Sequence, residues 1–200
     1  MFEPHFELMK GESTRRALLI APLAFAGIAL FAMHGRQDSG EDYSGPAAAG
    51  QVTIVEFDDS GRRIGSVRVA KVVRSSAQWR KQLSAEQYYV TRLQATDAAF
   101  SGTYYQLHFS GLFRCICCDN ALFSSDAKFD SGTGWPSFWA PIARENIATR
   151  SDYTLGIQRT EVHCLRCDAH LGHLFNDGPE PTFLRYCINE SSLRFVPRPA

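Results

Sequence analysis

The first patterned segment of the chain is an unbroken block. Ala17 to Met33 runs 17 residues without a charge, and Leu18, Leu19, Ile20, Leu23, Phe25, Ile28, Leu30 and Phe31 make it too apolar for a surface helix. Its length is close to the limit of about 18 residues for a membrane-spanning helix, while the small residues around Ala24 to Ala26 also suit signal cleavage. Val52 to Phe57 and Ile64 to Val73 are then rich in β-branched residues and flank Asp58-Asp59-Ser60-Gly61, which predicts a hairpin. Ser75-Ser76-Ala77-Gln78 and Ser84-Ala85-Glu86-Gln87 each set a serine three residues before a glutamine, and these capping boxes predict short helices over residues 76–83 and 85–94. Beyond Phe100, glycine and proline punctuate short stretches such as Tyr104 to Phe109, Val162 to Cys164 and Phe183 to Asn189, which predicts a mainly antiparallel β domain.

Composition sets bounds on this picture. The 200 residues are 44% apolar and 21% charged, as expected of one globular domain with extensions. Lysine plus arginine and aspartate plus glutamate each total 21, so the chain lacks the basic footprint of a nucleic-acid binder. Lys10, Arg15 and Arg16 precede the apolar block and only Arg36 soon follows it, a bias that directs the globular part out of the cytoplasm. Thr14-Arg15-Arg16 resembles part of a twin-arginine export signal. The expected organisation is an export signal or membrane anchor over residues 1–36, a flexible tether over 37–50, a β-hairpin extension over 51–74 and the main domain over 75–200.

A folded region beginning near Gln51 can bury roughly two-thirds of its unfolded surface and needs no staple, so the six cysteines require a chemical reason. Cys115 and Cys118 form one C-x-x-C pair, Cys164 and Cys167 another, with 45 residues between the pairs. Two such turns suit a closed tetrahedral zinc site that holds distant loops together and leaves no position for catalysis. Disulfides are the competing reading in an oxidising compartment. A thioredoxin-type redox pair would instead be a single motif opening a helix. Cys117, inside the first pair, is an odd thiol: a spare ligand, a small buried hydrophobe or a recycling thiol.

Along Phe183 to Asn189, period two puts Arg185, Cys187 and Asn189 on one face and Tyr186 and Ile188 on the other. A guanidinium beside Cys187 favours the nucleophilic thiolate. His170 and His173 directly follow the second C-x-x-C, where the metal turn would anchor two imidazoles suited to proton transfer. Asp177 lies close enough in sequence to hold an imidazole, or to be a plain turn aspartate. Trp135, in Asp130 to Trp139, sits on a glycine-bearing loop that can shape an apolar pocket.

Taken together, Cys115-x-x-Cys118, Gly132 to Phe138, Cys164-x-x-Cys167-Asp168-Ala169-His170-Leu171-Gly172-His173 and Arg185-Tyr186-Cys187-Ile188-Asn189 resemble the B-type peptide-methionine (R)-S-oxide reductases, from about Trp79 to Phe195. The resemblance implies a β-tent-like fold of two packed antiparallel sheets, a structural zinc on the four paired cysteines, and reduction of protein-bound or free methionine R-sulfoxide. It makes Cys187 the nucleophile, sets His170, His173 and Asn189 around the sulfoxide oxygen, gives Arg185 the thiolate to support, and has Trp135 receive the substrate methyl. Cys187 would end as a sulfenic acid for a thiol to reduce. Thr133 stands where many relatives carry a recycling cysteine, which leaves Cys117 or an external thioredoxin-like thiol. Phe183 replaces a residue that is often glycine and is expected to reshape the pocket. A zinc-bearing redox sensor and a zinc-ribbon binding module are the alternatives.

Overall fold

The computed structural model describes residues 50–199 apart from Leu155. The apolar block, the arginine pair and the tether up to residue 49 lie outside the described residues. The strands are β1 (Gln51–Phe57), β2 (Arg63–Ala70), β3 (Gly111–Cys115), β4 (Ala121–Ser124), β5 (Lys128–Phe129), β6 (Ser137–Phe138), β7 (Ile147–Asp152), β8 (Arg159–Cys164), β9 (His170–Phe175), β10 (Arg185–Ile188) and β11 (Leu193–Pro197). Two helices, α1 (Ser76–Gln82) and α2 (Ala85–Leu93), lie between the hairpin and the β domain. Among the described residues no helix is long and apolar enough to cross a membrane.

Both capping boxes form. The Gln78 and Gln87 amides donate to Ser75 and Ser84 Oγ at 3.3 and 3.1 Å, and the glutamine Oε1 atoms accept the serine amides at 2.8 and 3.0 Å. Four end groups that lack helical partners are thereby satisfied at the starts of two helices too short to persist on propensity alone. What holds them is burial: α1 inserts Trp79 and α2 inserts Tyr88 and Val90 into the protein. Arg74 and Arg92 guanidiniums lie over the Trp79 ring at 5.3 and 4.9 Å.

The strands form three antiparallel sheets: β1-β2, the six-stranded β5-β6-β10-β9-β8-β7, and β11-β3-β4. The larger two enclose an aromatic core. Phe138 from the six-stranded sheet stacks on Phe123 at 4.5 Å and meets the edge of Phe113 at 5.0 Å, both from the three-stranded sheet. Val162, Leu171, Tyr186 and Ile188 complete this apolar layer, so the polar chemistry of the six-stranded sheet must project from its other face.

Two expected strands are corrected. Tyr104–Gln106 is a 3-10 turn. The Glu190 carboxylate accepts the Thr103 and Tyr104 amides at 2.7 and 2.6 Å, which removes them from any ladder. Phe183 has φ +57° and so cannot belong to a strand that begins at Arg185. It closes a loop instead, its N–H donating to Pro179 O at 2.9 Å and its carbonyl accepting from Gly178 at 3.2 Å.

One irregularity positions the site. Val162 pairs with Gly172 and His163 with His170, which leaves Leu171 as an extra residue bulged from β9. Strict alternation would set His170 and His173 on opposite faces; the bulge returns them to the same one. Gly172 (φ +155°) is required beside it, because a Cβ there would lie 2.0 Å from the Cys187 carbonyl oxygen.

Candidate active site

Register assembles the polar face strand by strand. Cys187 pairs with His173 on one side and Ser137 on the other, His173 with Glu161, Glu161 with Arg150, and Asp152 with Arg159. Directly opposed residues share a face, so a thiol, two imidazoles, two carboxylates and two guanidiniums converge on one surface. A cavity of about 140 Å³ opens there, lined by Thr96, Trp135, Arg159, His173, Cys187 and Asn189 among others.

Cys187 is half-buried on β10. Burial pushes its thiol up, and the Arg185 guanidinium and the Thr133 hydroxyl oppose that shift. Arg185 is itself held by a two-pronged bond to Asp177, Nε to Oδ1 at 2.8 Å and Nη2 to Oδ2 at 2.9 Å, and its guanidinium covers the Phe175 ring at 4.3 Å. The hydrogen bonds from Arg185 keep the Asp177 carboxyl below its ordinary range. Asp177 therefore fixes the Arg185 guanidinium, a partner that neither the imidazole reading nor the plain-turn reading of the sequence named.

The imidazoles are held by two carboxylates that sequence reading missed. His170 Nδ1 lies 2.8 Å from Glu161 Oε1. Burial pushes the Glu161 carboxyl up, but hydrogen bonds from His170 and Arg150 outweigh it and the group falls to about 2. An ionised carboxylate only accepts, so Nδ1 carries the hydrogen. Nε2 of this deeply buried ring has no protein partner among the described residues. His173 Nε2 lies 2.8 Å from Asp152 Oδ2, and that carboxylate also takes Arg159 Nη2 at 2.6 Å. The backbone amide of Thr154, above all, keeps Asp152 ionised. Burial depresses His173 although the Asp152 hydrogen bond favours its protonated form. The two rings meet edge-on at 5.4 Å. Of the two, His173 lines the cavity, and the Asp152 contact engages its Nε2.

Asn189 is positioned by the chain around it. Its Oδ1 accepts the Asp97 amide at 3.0 Å and its Nδ2 donates to Leu171 O at 3.2 Å. The Trp135 indole donates to Asp97 O at 3.0 Å, which sets the ring as one wall of the cavity. Phe183, expected to reshape the pocket, is 58% exposed and is not among the residues lining this cavity.

The paired cysteines form a second centre. All four sulfurs lie within 4.8 Å of one another, with Cys115–Cys167 and Cys118–Cys164 each 3.6 Å apart. These are not disulfide distances, and all six cysteines are free. A tetrahedral zinc with Zn–S bonds of about 2.3 Å needs sulfurs about 3.8 Å apart, so the donor set fits the ion in both chemistry and size. The two turns share one construction. Asp119 and Asp168 both take left-handed φ (64° and 56°), and each donates its amide to the first cysteine's carbonyl at 2.9 Å. Cys117 lies buried in the first turn, outside the cavity that holds Cys187.

A family model described as the SelR domain matches residues 83–197. A peptide methionine sulfoxide reductase MsrB of Herminiimonas arsenicoxydans is 54% identical over 129 residues, 64% of this chain and 94% of that protein. The MsrB of Azotobacter vinelandii is 53% identical over 128 residues (64% and 96%), and that of Thioalkalivibrio sulfidiphilus 56% over 116 residues (58% and 85%).

Proposed function

The chain belongs to the SelR-domain family of B-type peptide methionine sulfoxide reductases, and from that premise we propose that it reduces the R epimer of methionine sulfoxide through a sulfenic acid on Cys187. The observation that carries the reading is a single cavity in which Cys187, His173, Asn189 and Trp135 all have a face.

The chemistry needs a nucleophile and a proton together, because a sulfoxide sulfur becomes electrophilic only as its oxygen is protonated. Cys187 attacks the sulfur as thiolate, supported by Arg185. His173 delivers the proton from Nδ1 while Asp152 steadies the opposite nitrogen, and Glu161 holds His170 behind it. The sulfur–oxygen bond breaks, two electrons pass to the substrate sulfur, and methionine leaves. The oxygen and proton remain on Cys187 as the sulfenic acid, which an incoming thiol converts to a mixed disulfide with loss of water. The incoming thiol belongs to another molecule, of the thioredoxin-like dithiol class, since Cys117 is sequestered in the metal turn and Thr133 has no sulfur. Trp135 receives the substrate methyl, and the fixed placement of methyl wall and proton donor about one sulfur is what discriminates between epimers.

Cys115, Cys118, Cys164 and Cys167 would hold a zinc ion as a four-thiolate set, and the ion would contribute folding free energy rather than chemistry.

Turnover of the separated epimers of a protected methionine sulfoxide with dithiothreitol tests the reading. Loss of the R epimer with the S epimer untouched is the expected result; equal consumption of both, or of neither, contradicts it. The carboxylate assignment has its own test in Asp152→Asn. Because Asp152 raises the proton affinity of His173 against burial, its neutralisation makes the ring lose its proton at lower pH. The alkaline limb of kcat then moves to lower pH, and kcat near neutrality falls by about tenfold to a hundredfold. A pH profile that does not move would remove His173 from the proton-donor role.

A further inference from the structure

The β1-β2 hairpin lies outside the residues matched by the family model, which begins at 83. It grips both metal-bearing turns. At its middle, Val55 exchanges two backbone bonds with the fully buried Asn146 side chain, its N–H donating to Oδ1 at 2.7 Å and its carbonyl accepting from Nδ2 at 2.8 Å. The same Nδ2 donates to Ala121 O at 2.8 Å. The Asn146 carbonyl in turn accepts from Asn120 Nδ2 (3.0 Å), just past the first turn, and from the Leu165 amide (3.2 Å) inside the second.

Both ends of the hairpin repeat the pattern. At the tip side, Arg114, next to Cys115, donates Nη2 to Phe57 O and to Asp59 Oδ1, both at 2.9 Å. At the exit, Lys71 Nζ pairs with both Asp168 oxygens at 2.7 and 2.9 Å, and Val72 N–H donates to Arg166 O at 2.8 Å, on either side of Cys167. Ile54 and Val55 bury apolar side chains beneath these polar contacts.

We propose that the hairpin Gln51–Ala70, with Lys71 and Val72, is a clamp that retains the metal by bridging its two ligand-bearing turns. A four-thiolate site has no vacant position for a competing ligand, so the metal escapes only when one turn swings away and opens the shell. For the first turn to do so the bonds of Arg114, Asn120 and Ala121 must loosen, and for the second those of Leu165, Arg166 and Asp168. The clamp acts on the rate of metal loss and of oxidation of the four cysteines, and leaves the Cys187 cavity untouched. The inference rests on the metal assignment and is independent of which epimer the cavity reduces.

The test is zinc release from the full-length chain to excess chelator, followed with a chromogenic zinc reporter under reducing conditions, after metal content has been measured by mass spectrometry. Excision of residues 51–70 is sterically mild, because Gly50 O already accepts the Lys71 amide at 2.9 Å and the cut ends are neighbours. With fold content equal by circular dichroism, the excised chain is expected to release zinc about thirtyfold faster or more, and Asp59→Asn with Lys71→Gln about fivefold faster, in proportion to the barrier removed. Release from the excised chain within twofold of the intact chain would overturn the proposal. If excision prevents folding, the paired substitution decides by the same comparison. Isolation of the chain without zinc would overturn the clamp as well, while the epimer assay would still report separately on the reductase.

Discussion

Cys187→Ser removes turnover of methionine sulfoxide to background, a loss of about 10⁴-fold or more in kcat/KM. A serine hydroxyl stays protonated near neutral pH, and its oxygen is a poor nucleophile towards sulfoxide sulfur. Nor can serine accept the departing oxygen in the way that sulfur forms a sulfenic acid. The substitution places a slightly smaller side chain at a half-buried position on the cavity wall, so circular dichroism and melting temperature are expected to stay close to those of the unsubstituted chain. Cys117→Ser is the control: with dithiothreitol as reductant it retains activity, because that sulfur lies in the metal turn and not in the cavity. Activity surviving in Cys187→Ser, or lost equally in both variants, would move the nucleophile elsewhere.

With zinc on the four paired cysteines as proposed, stripping the metal, or replacing Cys164 by serine, is expected to unfold the β domain. Cys115, Cys164 and Cys167 are essentially inaccessible, and the two turns lie at the far ends of separate hairpins, β3-β4 and β8-β9, linked across the site by few hydrogen bonds of their own, such as Arg166 Nη1 to Cys118 O at 3.4 Å. Without a cation the site leaves four thiols crowded together in the interior, where ionisation is penalised and hydrogen-bonding capacity is poorly used. Structural zinc in small sites contributes about 10 kcal/mol or more at neutral pH, comparable to the whole stability of a domain, about 5–15 kcal/mol. The expected outcome after chelation in mild denaturant, with reductant present, is loss of the cooperative melting transition and its return on adding zinc. A reduced, metal-free chain with an unchanged transition would contradict the structural role.

Local information carried the sequence reading as far as local physics reaches. Both helices start where their serine-glutamine boxes place them, since capping depends on residues three apart. The cysteine pairs announced a tetrahedral donor set, because two ligands per turn is a short-range geometry. Cys187, Arg185 and Asn189 were set beside one another by simple alternation.

What escaped was set by register and irregularity. Glu161 and Asp152 meet His170 and His173 across 9 and 21 residues of sequence, and only the strand pairing with its bulge at Leu171 brings them together. Neither residue has a local signature that separates it from an ordinary surface carboxylate. Asp177 was seen, with an imidazole or a plain turn role left open, since proximity to the histidines in sequence did not reveal that the loop closes on Arg185. Phe183 was read as part of a strand because its neighbours are aromatic and β-branched, and its left-handed backbone overrides that pattern. Asn146 gave no signal at all, although it ties the hairpin to both metal turns.

The most direct measurement is a single turnover of the R epimer by fully reduced protein with no thiol reductant present, quenched and analysed for methionine and for the oxidation state of Cys187. The expected result is one methionine per chain and one added oxygen on Cys187, captured there by a sulfenic-acid reagent. Methionine formed while Cys187 stays a free thiol, or Cys187 oxidised with no methionine formed, would contradict it.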